Sequence, residues 1–144
     1  MRSFDSQRLN YLVNHPEIRP SIGGDGTSEL DLSHNLLDWN YFLEGEFGGF
    51  LLNWSAPATF EVHTFILPEG RGGWALEFAE KAINYMITEG VTHMWTRVPK
   101  KDRHTRLFTL KMGFVPCGSQ TLDMGFGPVE YELFDWRSKC QQPS

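Results

Sequence analysis

Two side chains able to move a proton stand two residues apart in the stretch Phe60 to Glu89, which reads FEVHTFILPEGRGGWALEFAEKAINYMITE. Glu61 and His63 fall in a run rich in β-branched and aromatic residues, Phe60 to Leu67, closed by Pro68. Such a run predicts a strand. Alternate strand residues point to one face, so Glu61, His63 and Phe65 share a side. A carboxylate beside an imidazole can take a proton from a ligand, directly or through water. His63 has the better ordinary pKa for a base at neutral pH, whereas Glu61 would need its own raised by burial. The plain alternative for both is a solvent-facing strand position or a satisfied buried polar group.

The second chemical feature is the turn Gly70-Arg71-Gly72-Gly73. Glycines let the chain bend sharply and let a ligand approach the backbone closely. Beyond it, Trp74, Ala75, Phe78, Ala79, Ala82, Ile83, Met86 and Ile87 recur at helical spacing, with Glu77, Glu80, Lys81 and Asn84 opposite and Gly90 as a stop. This predicts a long amphipathic helix. The first amides of such a helix lack partners and carry partial positive charge, so Gly70 to Ala75 suits a phosphate or pyrophosphate. The competing reading is a tight connection that holds no ligand. There is no GxGxxG and no GK[ST], which excludes a Rossmann fingerprint and a P-loop.

Lys100, Lys101, Arg103, His104 and Arg106 form the one dense basic cluster. It could attract phosphates or simply be a solvated helix start, where cations are not favoured by the helix dipole. Of five tryptophans, Trp74 lies nearest a ligand at the glycine turn; Trp95 and Trp136 read as packing. His15, His34 and His93 show no metal-ligand spacing, so no metal site is expected.

The elements that must position these residues follow in chain order. Asp5 to Asn14 predicts a short helix capped by Asp5 or Ser6, with Leu9, Leu12 and Val13 inward. Glu17 to Ser28 reads as loop, and Leu30 to Leu37 as a short strand followed by a turn. Tyr41 to Asn53 predicts a hairpin turning at Glu44-Gly45-Glu46, followed by a break at Ser55-Ala56-Pro57. With the Phe60 strand this makes an antiparallel meander. Val91 to Val98 is a further strand. Asp102 caps a second helix that runs to about Met112, with Leu107, Phe108 and Met112 inward. Phe114-Val115 starts another strand, and Thr121 to Phe126 with Val129 to Trp136 form a closing hairpin at Gly127-Pro128. The expected fold is α/β, a mostly antiparallel mixed sheet with one parallel βαβ crossover and helices on both faces.

At 144 residues the chain predicts one domain over 1–144, divided into an N-terminal helix and loop (1–40), a core (41–136) and a frayed tail (137–144). The net charge of −5 argues against nucleic acid and anionic membranes as partners. No apolar run has the length of a membrane helix, and Arg2, Asp5 and Arg8 leave no signal-peptide core. Cys117 and Cys140 give no disulfide framework, and a cytoplasmic location with both thiols reduced is expected.

The order and spacing of elements from Tyr41 to Trp136 resemble the GNAT superfamily of N-acetyltransferases. Two local matches carry the resemblance. The family's pyrophosphate loop, [Gln/Arg]-x-x-Gly-x-[Gly/Ala], is met by Gly73 and Ala75, with Gly70 at the first place and Arg71 one residue late. Leu67-Pro68-Glu69 resembles its lead-in. At the places of the family segment Asn-x-x-Ala-x-x-Leu-Tyr-x-Lys-x-Gly-Phe this chain has Asp102, Thr105, Phe108, Thr109, Lys111, Gly113 and Phe114, with the Lys-x-Gly-Phe end intact.

The resemblance implies that acetyl-CoA binds with its pyrophosphate on the Gly70, Arg71, Gly72, Gly73, Trp74 and Ala75 turn. Its pantetheine arm would run along Phe65, Ile66 and Leu67, with Asp102 nearby. The acceptor would be a small-molecule or protein amine, and a homodimer is compatible with the family. Glu61 holds the place of a general-base carboxylate in some members. Thr109 stands where the family often has a catalytic Tyr that protonates the departing thiolate. A threonine alcohol has far too high a pKa for that step, so another group or water would supply the proton. The alternative is a GNAT-like fold that no longer catalyses and serves in binding or assembly. The chain is also similar to compact GNAT-like proteins of tailed phages, some of them labelled as head-assembly proteins. An aromatic-lined module for another small ligand is the third reading.

Overall fold

The computed structural model describes residues 1–138. Its elements are β1 (Arg2–Ser3), α1 (Ser6–Asn14), β2 (Tyr41–Gly45), β3 (Gly48–Ala56), β4 (Thr59–Ile66), α2 (Gly73–Thr88), β5 (His93–Pro99), α3 (Arg103–Lys111), β6 (Val115–Asp123) and β7 (Pro128–Arg137). α1 and α3 begin where their capping side chains predict. Asp5 accepts from Arg8 N to cap α1, and Asp102 accepts from Thr105 N to cap α3.

The seven strands form one sheet in the order β1-β2-β3-β4-β5-β7-β6. Neighbours are antiparallel except β4 and β5, which the α2 crossover makes parallel. Strand alternation divides the core. Leu43, Phe50, Leu52, Phe60, Val62, Met94 and Phe134 pack against Phe78, Ala79, Ala82 and Met86 of α2, with Phe108 and Met112 joining from the α3 end. On the opposite face Phe42, Leu51, Phe65 and Leu67 pack against Leu9, Leu12 and Val13 of α1. Helices therefore cover both faces, as expected. Gly48 is required at the turn into β3, because its φ is +144° and a Cβ there would meet the Phe65 carbonyl oxygen at 2.2 Å.

Several boundaries differ from the sequence reading. Leu30 to Leu37 holds no strand, only a single 3₁₀ turn at Ser33–Asn35. Asn10 and Asn14 of α1 take up its backbone instead, through Leu30 N, Leu30 O and Leu32 N. The first hairpin turns at Glu46-Phe47, and β3 runs through the expected break to Ala56. The last hairpin strands are longer than the sequence suggests, with the connection at 124–127. β1 adds a two-residue strand, too short to show alternation, pairing Arg2 with Leu43 and Ser3 with Phe42. Leu107, expected inward on α3, is 48% exposed, and Thr109 is the residue buried there. Arg137 ends β7 rather than opening a tail; the rest of the expected tail, with Cys140, lies outside the described residues apart from Ser138, whose amide reaches Thr92 O at 3.0 Å.

Candidate functional site

β4 and β5 pair at only three positions, Thr59 with His93, Phe60 with Met94 and Glu61 with Trp95, and then diverge. Beyond them Thr96 Oγ1 donates to Val62 O at 2.8 Å, a side chain standing in for the ladder. Since Val62 turns its carbonyl to this open side, alternation turns the backbone groups of Thr64 and Ile66 the same way. Phe65 O faces Gly48 instead, and Leu67 N donates to Phe47 O at 2.8 Å. Of the expected strand contacts, the backbone of Ile66 is open, while those of Phe65 and Leu67 are engaged with β3 and its turn.

The divergence opens a cleft of about 530 Å³. Its floor carries Leu51, Asn53, Glu61, His63 and Phe65; one wall carries Arg97, Asp102, Thr105, Thr109 and Tyr131. The loop before Asn35 roofs it with Ile22, Leu30 and Leu32, and Met124 closes the roof from the β6–β7 connection. A Cβ on Gly23 would lie 3.8 Å from Met124 Sδ, so the two covering segments come close together. Buried Arg19 holds the loop: its Nη1 donates to Ile22 O and Gly23 O at 2.9 and 3.0 Å, and its Nε to Ser28 O at 2.7 Å.

Glu61 and His63 are brought together as alternation predicts. His63 Nε2 lies 3.5 Å from Glu61 Oε1, and Arg97 Nη2 lies 3.2 Å from Glu61 Oε2. Burial pushes the Glu61 carboxyl up, but the hydrogen bond from His63 and the charges of His63 and Arg97 outweigh it and hold the carboxyl below its ordinary value. The raised pKa that Glu61 would need as a base is therefore absent. It stays ionised at neutral pH, suited to orienting His63 and attracting a cation. Sequence reasoning missed Arg97, because only the parallel register sets β5 beside Glu61.

Thr109 is 2% exposed, and its hydroxyl donates to Thr105 O at 2.7 Å within its own helix. That proton is already used, so Thr109 lines the cleft without being a donor to it. Tyr131 was not among the sequence candidates. It pairs with Pro99 on β7, two positions from the Arg97–Leu133 pair, which puts it on the sheet face of Glu61 and Arg97. Its ring is 9% exposed and borders the cleft. Phenol in a hairpin strand carries no motif; only the register reveals it. Asp102 spends Oδ1 on Thr105 N and Oδ2 on Thr105 Oγ1 as the cap of α3.

The glycine turn lies past the cleft's lining: β4 ends at Ile66, and Gly70 closes the 3₁₀ turn Pro68–Gly70 that follows. Gly72, at φ +94°, caps α2 without a side chain. The first intrahelical bond runs from Leu76 N to Gly72 O, so the amides of Gly73, Trp74 and Ala75 stand outside the ladder. A Cβ on Gly72 or Gly73 would meet nothing within 4 Å, so the approach is open. Gly70 differs: its amide donates to Leu67 O, and a Cβ would strike Phe47 and the Trp74 ring. Trp74 turns inward, stacked on Phe78 at 5.0 Å and edge-on to Phe47 at 5.4 Å, so its ring belongs to the core and only its amide faces the turn. Arg71 is exposed, with Nη2 donating to Glu17 O at 3.3 Å. In the basic cluster, Arg106 pairs with Glu132 at 2.8 Å and Lys100 with Glu130 at 3.7 Å; Lys101, Arg103 and His104 are exposed. Among the described residues no group of His, Cys, Asp and Glu is placed to hold a metal ion, and no helix is long and apolar enough to cross a membrane.

No protein-family model and no curated protein sequence matches the chain. Solved structures do. A ribosomal-protein-alanine N-acetyltransferase from Brucella melitensis superposes with a TM-score of 0.74 at 13% identity, covering 93% of this chain and 94% of that one. An acetyltransferase of the GNAT family from Streptococcus pneumoniae gives 0.71 at 16% identity, over 92% and 93% of the two chains. A Bacillus subtilis acetyltransferase solved with CoA gives 0.57 at 13% identity, over 75% and 83%. With its mixed sheet, its single parallel β4–β5 pair and these neighbours, the chain has the fold of the GNAT acetyltransferases.

Proposed function

We propose that the protein is an acyl-CoA-dependent N-acyltransferase that moves an acetyl group from acetyl-CoA to an amine. The opening between β4 and β5, with Glu61 and His63 on its floor, carries this reading. The residues present fit the donor. Free amides of Gly73, Trp74 and Ala75, next to open space at Gly72 and Gly73, suit a diphosphate. The open backbone edge at Thr64 and Ile66 suits an amide-bearing arm. Acetyl-CoA would supply an activated acyl group as its thioester.

The chain's own residues divide the remaining work. Ionised Glu61 draws an ammonium into the cleft and holds His63 in place. With Nε2–H directed at Glu61, Nδ1 of His63 takes a proton from the ammonium, leaving a nucleophilic amine. Tyr131 holds a phenolic proton for the departing thiolate, the task the Thr109 hydroxyl does not perform. In net balance one N–C bond forms, one C–S bond breaks, the sulfur leaves as a thiol, and one proton passes to solvent. The Brucella melitensis neighbour is a ribosomal-protein-alanine N-acetyltransferase, so protein N-termini join small amines as candidates.

Calorimetric titration with acetyl-CoA tests the reading. Micromolar binding that Gly73→Glu abolishes supports it, because the new carboxylate would sit at the diphosphate's amides. No binding at millimolar donor overturns it. The second reading is a GNAT-like binding or assembly protein without catalysis, which the committed Thr109 hydroxyl favours. It predicts no turnover with any amine, and the resemblance to compact phage proteins points the same way.

A further inference from the structure

In the cleft's roof, the polar groups of Ser21, Ile22, Gly23, Leu30 and Leu32 are engaged away from the cleft. Ser21 Oγ donates to Ile18 O at 2.8 Å, and the carbonyls of Ile22 and Gly23 accept from Arg19. Leu30 and Leu32 give their amides to Asn14 and Asn10, at 2.7 and 2.8 Å. With these groups satisfied elsewhere, the roof presents the side chains of Ile22, Leu30 and Leu32, opposite Leu51 and Phe65 of the floor, with Met124 at the closure. The carboxylates bordering the cleft are Glu61 and Asp102. Asp102 has both oxygens on Thr105. The one guanidinium, Arg97, is shared between Glu61 and Gln120, at 3.2 and 3.4 Å.

We infer that the acceptor is a monoamine with an apolar body, an alkylamine or arylalkylamine, rather than a polyamine or an amine bearing an anionic group. This rests on the acetyltransferase reading above. One ionised carboxylate, Glu61, meets one ammonium. A second ammonium on the same molecule would be set among Ile22, Leu30 and Leu32 with no anion to receive it, and desolvation of that charge opposes binding. A distal carboxylate or phosphate finds no free cation, since Arg97 already holds Glu61. Each methylene buried in the roof favours binding instead, by about fourfold.

The test compares n-ethylamine, n-butylamine, n-hexylamine and phenethylamine with hexamethylenediamine, which matches hexylamine in length but ends in a second ammonium. Thiol release from acetyl-CoA and the mass of the product report turnover by the wild-type protein. Expected is a kcat/KM that rises along the alkyl series by about fourfold per methylene, with hexylamine preferred over the diamine by roughly tenfold or more. Ile22→Asp, which puts a second carboxylate in the roof, should reverse the preference toward the diamine while donor binding by calorimetry is kept. A diamine used as well as hexylamine, or a flat alkyl series, overturns the assignment. Donor binding without acetylation of any monoamine also overturns it and leaves the donor site standing. Loss of donor binding in the wild type overturns the acetyltransferase reading itself.

Discussion

Glu61 stands between His63 and Arg97, with Oε1 3.5 Å from the His63 Nε2 and Oε2 3.2 Å from the guanidinium. Two partners on two oxygens fix a carboxylate more firmly than either alone. The first prediction follows from this division of roles. Glu61→Gln, which removes the carboxylate that positions His63, should lower kcat for amine acetylation about 10- to 100-fold, and His63→Ala by about 100-fold or more, the range for a positioned acid–base group. Calorimetry should show donor affinity unchanged in both. Normal turnover in both variants would remove the pair from the mechanism.

The depressed Glu61 pKa also sets a pH dependence of stability. A carboxyl whose folded value lies below its unfolded one contributes stability above the unfolded value, and that contribution is lost as pH falls through the folded value. The window therefore opens below about pH 4.3, the ordinary value for Glu. Denaturant titrations from neutral to acid pH should show the wild type losing stability faster than Glu61→Gln in that window. Parallel curves would contradict the shift.

Thr109 and Tyr131 separate cleanly by substitution. Thr109→Val removes a hydroxyl that only back-bonds to its own helix, so turnover should change less than about threefold. Tyr131→Phe keeps the ring in its buried place and removes the phenol. It should lower kcat by about 100-fold with donor binding intact, the lower end for loss of a general acid. If the two effects are exchanged, the proton comes from α3 and not from β7.

Arg19 tests the roof. Its guanidinium makes three hydrogen bonds to carbonyls in the 22–28 loop while 5% exposed. Arg19→Ala should cost about 2–3 kcal/mol, the scale of losing charge-assisted bonds to buried acceptors. Thermal denaturation measures that cost. Because the loop sits over the acceptor side, amine KM should rise while donor affinity holds.

The legible parts of this protein were those with a local physical signature. Asp5 and Asp102 cap helices by reaching their own N3 amides, so neighbours three residues on reveal them. Alternation placed Glu61, His63 and Phe65 on one face, and the turn at Gly72 declared itself because only glycine takes that φ cheaply. What stayed hidden depended on partners distant in sequence. Leu30 to Leu37 reads as a strand until Asn10 and Asn14 of α1 take its backbone, and Leu107 reads as core until packing turns Thr109 inward.

The sequence by itself determined α1 and the succession of elements from β2 to β7, the helix caps of α1 and α3, the shared face of Glu61 and His63, and the free amides at the head of α2. These follow from periodicity, capping chemistry and backbone sterics within a few residues. Tertiary structure alone decided that β4 parts from β5 after Glu61, that Arg97 arrives to hold that carboxylate ionised, and that Tyr131 comes into the opening from β7. Each of those depends on strand register, and register is set by the packing of both sheet faces at once, a quantity no local stretch contains.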